Sequence, residues 1–423
     1  MRVLFSNPPW FTDDQTRWGV RAGSRWPFTG PAGMAYLPFP FLMAGAAAFV
    51  KAQGHNVWLA DSVATRESEA SWRDRLREGR FDYIILETST PSIEVDLAFA
   101  REAAAYGKVV LSGPHATVFA REILEANPHV FAVLQGEYEQ GAARLLREGR
   151  PGIYPLELVE DMDRLPAPLR DSTIYRYNDR FPNTPEGPCL QVVASRGCPF
   201  GCIFCLWPQV MFGGRRYRPR SAGAVLAEIE DCLRRFPRFT SLYFDDDTFN
   251  IGKPRMLELC RGLSRLGLPW SAMCRADTSD AETWRAMRDS GCYAVKLGLE
   301  SGCQTLVDRC RKGLDLEKVR DTVALLKSLG IFVHVTYTWG LPGETPETIE
   351  ETKRFHAALA PDSWQESVCT PFPGTDFYRL YAEVNGGAPR DWASYDGARP
   401  LEADADCHRL APAKTSSQTD SRS

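Results

Sequence analysis

No stretch of this 423-residue sequence is apolar for long enough to cross a bilayer. The most apolar early segment, Tyr36 to Val50, is broken by Pro38, Pro40 and Gly45, and a spanning helix needs about 20 apolar residues. The opening run, Met1-Arg2-Val3-Leu4-Phe5-Ser6, reads as a strand and lacks the layout of a secretory leader. A basic excess is also missing. Fifty Lys and Arg against 54 Asp and Glu leave a net charge of −4, which argues against a nucleic-acid-binding surface. The one short basic run, Arg215 to Arg220, reads as a solvated or ligand-proximal loop. Of the twelve cysteines, only three are clustered, and no second C-x2-C occurs. A disulfide scaffold and an auxiliary metal cluster are therefore not expected, and a reducing cytoplasm is. There is no G-x-G-x-x-G fingerprint, so nicotinamide cofactors are unsupported.

What is present centres on Ala194-Ser195-Arg196-Gly197-Cys198-Pro199-Phe200-Gly201-Cys202-Ile203-Phe204-Cys205. Three cysteines at C-x3-C-x2-C spacing follow an apolar strand-like run, and glycine and proline between them break regular structure. A loop of this kind can curl its thiolates around one soft centre, zinc or an iron–sulfur cluster. Structural zinc takes four protein ligands, usually as two separated pairs. Here there are three, and three cysteines on a cubane leave one iron open for another ligand.

Hydrophobic residues make up 44% of the chain and charged ones 25%, an ordinary balance for packed domains. The length suggests two or three of them. Residues 1–150 alternate apolar runs with helical periodicity. Strands are expected at Arg2–Ser6, Asn56–Ala60, Tyr83–Glu87, Val109–Ser112 and Val130–Gln135, which predicts a Rossmann-like, doubly wound parallel sheet. Ligands of such sheets bind beyond the C-terminal strand ends. The loops there hold Asn7 and Pro8, Thr88 and Ser89, Gly113 and His115, and Gly136 and Glu137. Residues 151–188 are proline-rich and read as a linker. From 189 to 397 strands and helices alternate again in six units, and a polar, aperiodic tail over 398–423 is expected to be disordered.

The cysteine loop, with the aromatic Phe204 before its last cysteine, resembles that of the radical S-adenosylmethionine (radical SAM) superfamily. The resemblance continues at successive strand ends: Asp245-Asp246-Asp247, Arg275-Ala276-Asp277, Gly298-Leu299-Glu300-Ser301-Gly302 and Gly340-Leu341-Pro342-Gly343-Glu344. It implies a partial (β/α)6 TIM-type barrel. It also implies an oxygen-sensitive 4Fe-4S cluster on Cys198, Cys202 and Cys205, whose open iron chelates SAM and cleaves it to a 5′-deoxyadenosyl radical. Candidate SAM contacts are Phe204, Asp246, Asp247, Arg275, Glu300 (toward the ribose), Ser301 and Gly340. Each has a plainer reading singly: the aspartates as a solvated loop, Arg275 with Asp277 as a structural ion pair.

Upstream, Asn7-Pro8-Pro9, Arg21 to Pro27, Leu37-Pro38, Gly113-Pro114-His115 and Gly136-Glu137 together resemble the cobalamin-binding domain that precedes many radical SAM barrels. Asp161 to Pro166 resembles that family's linker element, and Thr370 to Thr375 matches it beyond the barrel. The set implies cobalamin contacts at Asn7, Pro8, Thr88, Ser89, Gly113, His115, Gly136 and Glu137. Relatives with a cobalt-ligating histidine carry Asp-x-His-x-x-Gly. Asp61-Ser62-Val63-Ala64-Thr65 stands there instead, so a histidine-free lower face is expected. His115 has a competing reading as a buried structural residue, and the segment Trp10 to Phe28 reads equally as a corrin-covering loop or a surface loop. The implied activity is cobalamin-dependent methylation of an unactivated carbon in a small molecule, fed by flavodoxin or ferredoxin, with no nucleic acid or membrane partner. Two rivals stand beside it: a non-methylating relative such as an anaerobic oxidative cyclase, and a truncated, non-catalytic cofactor-binding protein.

Overall fold

Short apolar runs flanked by amphipathic helices bury best as parallel strands covered on both faces, and the first half of the chain does this. A computed structural model describes residues 1–11, 16–21, 27–31, 36–179 and 183–397. Six strands, β1 Arg2–Asn7, β2 Asn56–Asp61, β3 Tyr83–Glu87, β4 Lys108–Ser112, β5 Val130–Leu134 and β6 Gly152–Tyr154, pair in the order β2-β1-β3-β4-β5-β6. Every pairing is parallel. Val3, Phe5, Ile85 and Val110 pack with Met43, Leu145 and Leu146 on one face. Leu4, Ile84, Leu86 and Leu111 meet Trp72 and Phe99 on the other. Strand order reverses between β1 and β3, which opens a crevice at their C-terminal ends, the usual ligand position in such sheets.

Two elements go beyond the sequence reading. Strand β6 lies inside the stretch read as linker, because three residues are too few to show a period. The helix Glu139–Glu148 follows β5 directly. The aromatic segment after Trp10 contains a two-stranded hairpin, Arg17–Val20 with Phe28–Pro31, with Trp10 and Trp18 buried. Residues 22–26 of the Arg21–Pro27 set, and the tail 398–423, lie outside the described residues.

In the second half, β7 Cys189–Val192, β8 Ser241–Phe244, β9 Trp270–Cys274, β10 Cys292–Glu300, β11 Phe332–Trp339 and β12 Ser363–Val368 form a second parallel sheet in sequential order. Helices Ala222–Arg235, Lys253–Leu266, Ala281–Asp289, Leu316–Ser328 and Pro346–Leu359 alternate with the strands. Side-chain caps start four of the five: Ser221, Asp280, Asp315 and Thr345 each accept from a first-turn N–H, which satisfies donors with no partner in the helix. Alternate strand residues, among them Leu242, Phe244, Val295, Leu297, Val333 and Val335, form one core with these helices.

The halves share packing. Leu206, Trp207, Val210, Met211 and Phe212, just after the cysteine loop, and Phe372 and Tyr395 near the described end, belong to the core of the first sheet.

Candidate active site

The cysteine loop is clamped from both sides. At the end of β8, Asp246 is fully buried and accepts from the Ala194 N–H at 3.0 Å and from the Ser195 hydroxyl. Burial pushes Asp246 up to about 6 against those bonds. Asp247 accepts from the Gly197 N–H at 3.0 Å. Gly197 has φ +82°, and a Cβ there would collide with the Arg216 carbonyl, so glycine is required. From the other side, Gln209 Nε2 donates to the carbonyls of Cys202, Ile203 and Cys205 at 3.1, 3.0 and 2.9 Å. Its Oε1 accepts from the Asp376 N–H at 2.8 Å. Phe204 is buried with Ile203, Cys303, Leu306 and Leu341, behind the loop. Sequence reasoning missed Gln209, whose role depends on where the loop turns back.

Cys198, Cys202 and Cys205 are free and partly exposed. Cys198 Sγ lies 3.5 Å from the Thr248 hydroxyl. Burial, then the neighbouring Cys202 thiol, Asp247 and Cys198, push Cys205 well above the ordinary thiol range. Burial raises Cys202 as well, with Lys312 opposing. Among the described residues no three His, Cys, Asp or Glu side chains converge at single-ion distance. The fit to an iron–sulfur group rests on donor chemistry: three soft thiols on one pinned loop, close enough to repel as thiolates, call for a cationic centre spread across them.

Glu300 ends β10 at φ +67°, next to a register shift against β11, and such irregularities re-aim a side chain. Its carboxylate accepts from Lys312 Nζ at 2.9 Å and from the Thr338 hydroxyl at 2.7 Å. Lys312 is a second residue missed from sequence. Arg275 pairs with Asp277 at 2.6 and 3.0 Å, donates to the Gly313 carbonyl at 2.7 Å, and stacks 3.6 Å from the Phe200 ring centroid. The plainer reading of that pair matches the geometry. Ser301 bonds Thr352 at 2.9 Å and accepts from the Cys303 N–H at 3.0 Å. Gly340, at φ +76°, donates to Glu344 Oε1 at 2.9 Å. Asp246 and Asp247 thus face the loop backbone, Arg275 reaches its Phe200, and Glu300 sits beside Cys202 through Lys312.

On the first sheet, Asn7 ends β1 with Pro8 after it, and Thr88 and Ser89 follow β3, flanking the crevice. The Pro8 carbonyl accepts from Arg21, whose guanidinium is buried with Asp96 at 2.7 Å. The Thr88 hydroxyl donates to the Ser112 carbonyl at 2.7 Å, and the Ser89 N–H to Ser92 at 3.1 Å. Gly113, at φ +101°, packs against the Thr88 backbone. His115 is buried, with Nδ1 3.3 Å from the Thr90 hydroxyl and its ring against Phe119 and Trp392 at 4.7 and 5.0 Å. Burial lowers its pKa to about 3. Asp61 caps a short helix, Ser62–Thr65, and accepts from the Tyr177 hydroxyl at 3.1 Å. Gly136 donates to the Thr117 hydroxyl at 2.9 Å.

Glu137 turns toward the second half. It accepts from Arg218 and lies 3.6 Å from Arg196, while Glu139 pairs with Arg196 at 2.7 Å. All four side chains are at most 8% exposed. This quartet puts the cysteine loop, two residues beyond Arg196, directly against the C-terminal edge of the first sheet. Pairing at that distance in sequence left no local signal.

Residues 192–356 match the Radical SAM superfamily. The chain is 29% identical to an uncharacterised methyltransferase of Pyrococcus horikoshii over 314 residues, 69% of this chain and 67% of that one. It is 28% identical to the anaerobic magnesium-protoporphyrin IX monomethyl ester cyclase of Rubrivivax gelatinosus over 411 residues, 90% and 70% of the two chains. In fold it is similar to the radical S-adenosylmethionine methyltransferase TsrM of Kitasatospora setae, solved with cobalamin and a [4Fe-4S] cluster. The TM-score is 0.67 at 17% identity, over 92% of this chain and 76% of that one.

Proposed function

We propose that this chain is a radical SAM enzyme, a cobalamin-dependent methyltransferase that modifies an unactivated carbon of a small molecule. The observation that carries the reading is the buried quartet Glu137, Glu139, Arg196 and Arg218. It joins the loop that would hold a cluster to the sheet edge that would hold a corrin, so that two cofactors face one substrate space. The second sheet is read as the partial (β/α)6 barrel of the superfamily. When bound, the cluster would supply the electron that cleaves SAM, and cobalamin a methyl group that a carbon radical can take.

The chain's own residues have distinct tasks in this reading. Cys198, Cys202 and Cys205 hold the cluster, and Asp246, Asp247 and Gln209 fix the loop on which they sit. Glu300, oriented by Lys312 and Thr338, accepts bonds from the SAM ribose hydroxyls. Phe204 seals the loop from behind, while Ser301 and Gly340 shape the strand ends beside it. Asn7, Pro8, Thr88, Ser89, Gly113 and Gly136 present backbone and hydroxyls to the corrin side chains. Electrons would come from a low-potential flavodoxin or ferredoxin in the cytoplasm.

The test is anaerobic reconstitution with SAM carrying a deuterated methyl group, cobalamin, and candidate small molecules made by neighbouring genes. A product heavier by one labelled methyl, formed with 5′-deoxyadenosine and lost in the triple Cys→Ala variant, is expected. The alignment with the cyclase over 90% of this chain favours one alternative, an oxidative cyclase. Product with unchanged carbon count would select it.

A further inference from the structure

We propose that Thr248 tunes the reduction potential of the cluster: its hydroxyl donates a hydrogen bond to the Cys198 thiolate and holds the potential above the value the three thiolates alone would give. This rests on the radical SAM reading and adds to it a residue that acts on the cluster through one of its ligands.

Thr248 follows β8 in the run Asp245-Asp246-Asp247-Thr248-Phe249. Phe249 anchors that run. Its ring is fully buried, 4.4 Å from the Phe244 centroid, and its N–H donates to the Met273 carbonyl at 2.9 Å. On the other side Asp247 accepts from the Gly197 N–H at 3.0 Å, so the residues just before Thr248 and Cys198 are themselves bonded. Between these two fixings the Thr248 hydroxyl lies 3.5 Å from Cys198 Sγ. Branching at Cβ restricts its χ1 rotation. The residue is 4% exposed, so water has little access to it.

A hydroxyl has one proton to give and two lone pairs to receive with. In the thiol form Cys198 can donate to Thr248, whose own proton goes to the Asp247 carbonyl at 2.7 Å. A thiolate on iron has no proton, so the roles reverse and the Thr248 proton turns from the carbonyl to the sulfur. The other two thiols are served differently. Cys205 accepts from the backbone N–H of Trp207. Cys202 lies in the field of Lys312 and Arg275, cations already paired with Glu300 at 2.9 Å and Asp277 at 2.6 Å. Among the described residues, Thr248 is thus the side chain that offers a hydrogen bond to a cluster sulfur.

An added electron makes the cluster sulfurs more negative, and a hydrogen bond to an anionic acceptor is stronger than one to a neutral acceptor. The bond therefore stabilises the reduced cluster more than the oxidised one. Hydrogen bonds to the sulfurs are among the factors that set such potentials, and partners one shell out from the metal are known levers on it. The donor here is held by the fold, so its effect is present before SAM binds.

The test is potentiometry of the anaerobically reconstituted chain without SAM, with the reduced cluster followed by low-temperature electron paramagnetic resonance. T248V keeps the shape of the side chain and removes the proton. Its reduction constant is expected to fall by at least about threefold, where tenfold corresponds to about 59 mV for one electron. T248S, which keeps the hydroxyl, should recover most of that difference, with iron and sulfide per chain equal in all three proteins. If T248V takes up no cluster, T248A carries the same expectation with less bulk. Cluster loss from both would assign Thr248 to building the loop and overturn the tuning role. A fall of less than threefold in the loaded variant, or a T248S potential displaced as far as that of T248V, would overturn it too. A wild type that takes up no iron and sulfide counts against the radical SAM reading, whereas a full cluster with an unmoved potential counts against Thr248 alone.

Discussion

Replacing Arg196 with methionine removes one of two cations from a nearly dry quartet and leaves Arg218 paired with Glu137 alone. Glu139 Oε1 lies 2.7 Å from Arg196 and would keep no ion-pair partner. Breaking a buried pair from one side costs about 3–5 kcal/mol. The same figure follows from protonation. With one carboxyl held neutral in the folded variant but ionised in the unfolded chain, the loss is about 1.36 kcal/mol per pH unit above a free glutamate pKa of about 4.3. That gives about 4 kcal/mol at pH 7.5 and about 1.6 kcal/mol at pH 5.5. The sign is set by linkage. Burial already raises Glu137, with Arg196 and Arg218 opposing, and removing Arg196 raises it further. The folded variant then binds more protons than the unfolded chain, and its stability falls as pH rises through that window. Denaturant unfolding of wild type and Arg196→Met at the two pH values measures this directly. A deficit of the same size at both pH values would refute the electrostatic reasoning. A deficit under 1 kcal/mol would show that the quartet does not hold the halves together.

Glu300→Gln should weaken SAM binding by roughly ten- to a hundredfold while iron and sulfide per chain stay unchanged; equal SAM affinity would move the ribose site elsewhere. Reconstituted cob(II)alamin should show no nitrogen superhyperfine splitting from a protein imidazole in electron paramagnetic resonance, because His115 is enclosed by Phe119 and Trp392 and the Asp61–Thr65 segment has no imidazole. Splitting that disappears in His115→Ala would contradict this.

The strand and helix pattern was largely legible because its signals are local: Tyr83–Glu87, Ser241–Phe244 and the helix Ala120–Ala126 lie where short apolar runs and helical patterning put them. The cysteine loop was legible because its chemistry is local, three thiols within eight residues. What could not be read depends on partners far along the chain. Glu137 looked like a ligand-edge residue, yet its carboxylate meets Arg218, 81 positions later. Asp246 read as a SAM contact or a solvated aspartate, and its carboxylate accepts from Ala194 and Ser195 at the start of the loop. Lys312, in an unremarkable Arg-Lys-Gly, acquires its role only when a turn returns it to Glu300. A side chain's type is printed in the sequence, but the direction it faces is decided by the tertiary fold.

Trp392 and Tyr395 have a consequence for synthesis. Tyr395 is fully buried in the core of the first sheet, and Trp392 lies against His115 and Phe119. The last strand of that sheet ends at Tyr154, so well over 200 further residues must leave the ribosome before its apolar surface is covered. At about 5–20 residues per second this takes on the order of 10–50 s. For that interval the nascent first half carries an open hydrophobic notch that the second half must reach back to fill. A chaperone would find its purchase there, and the two halves become mature together.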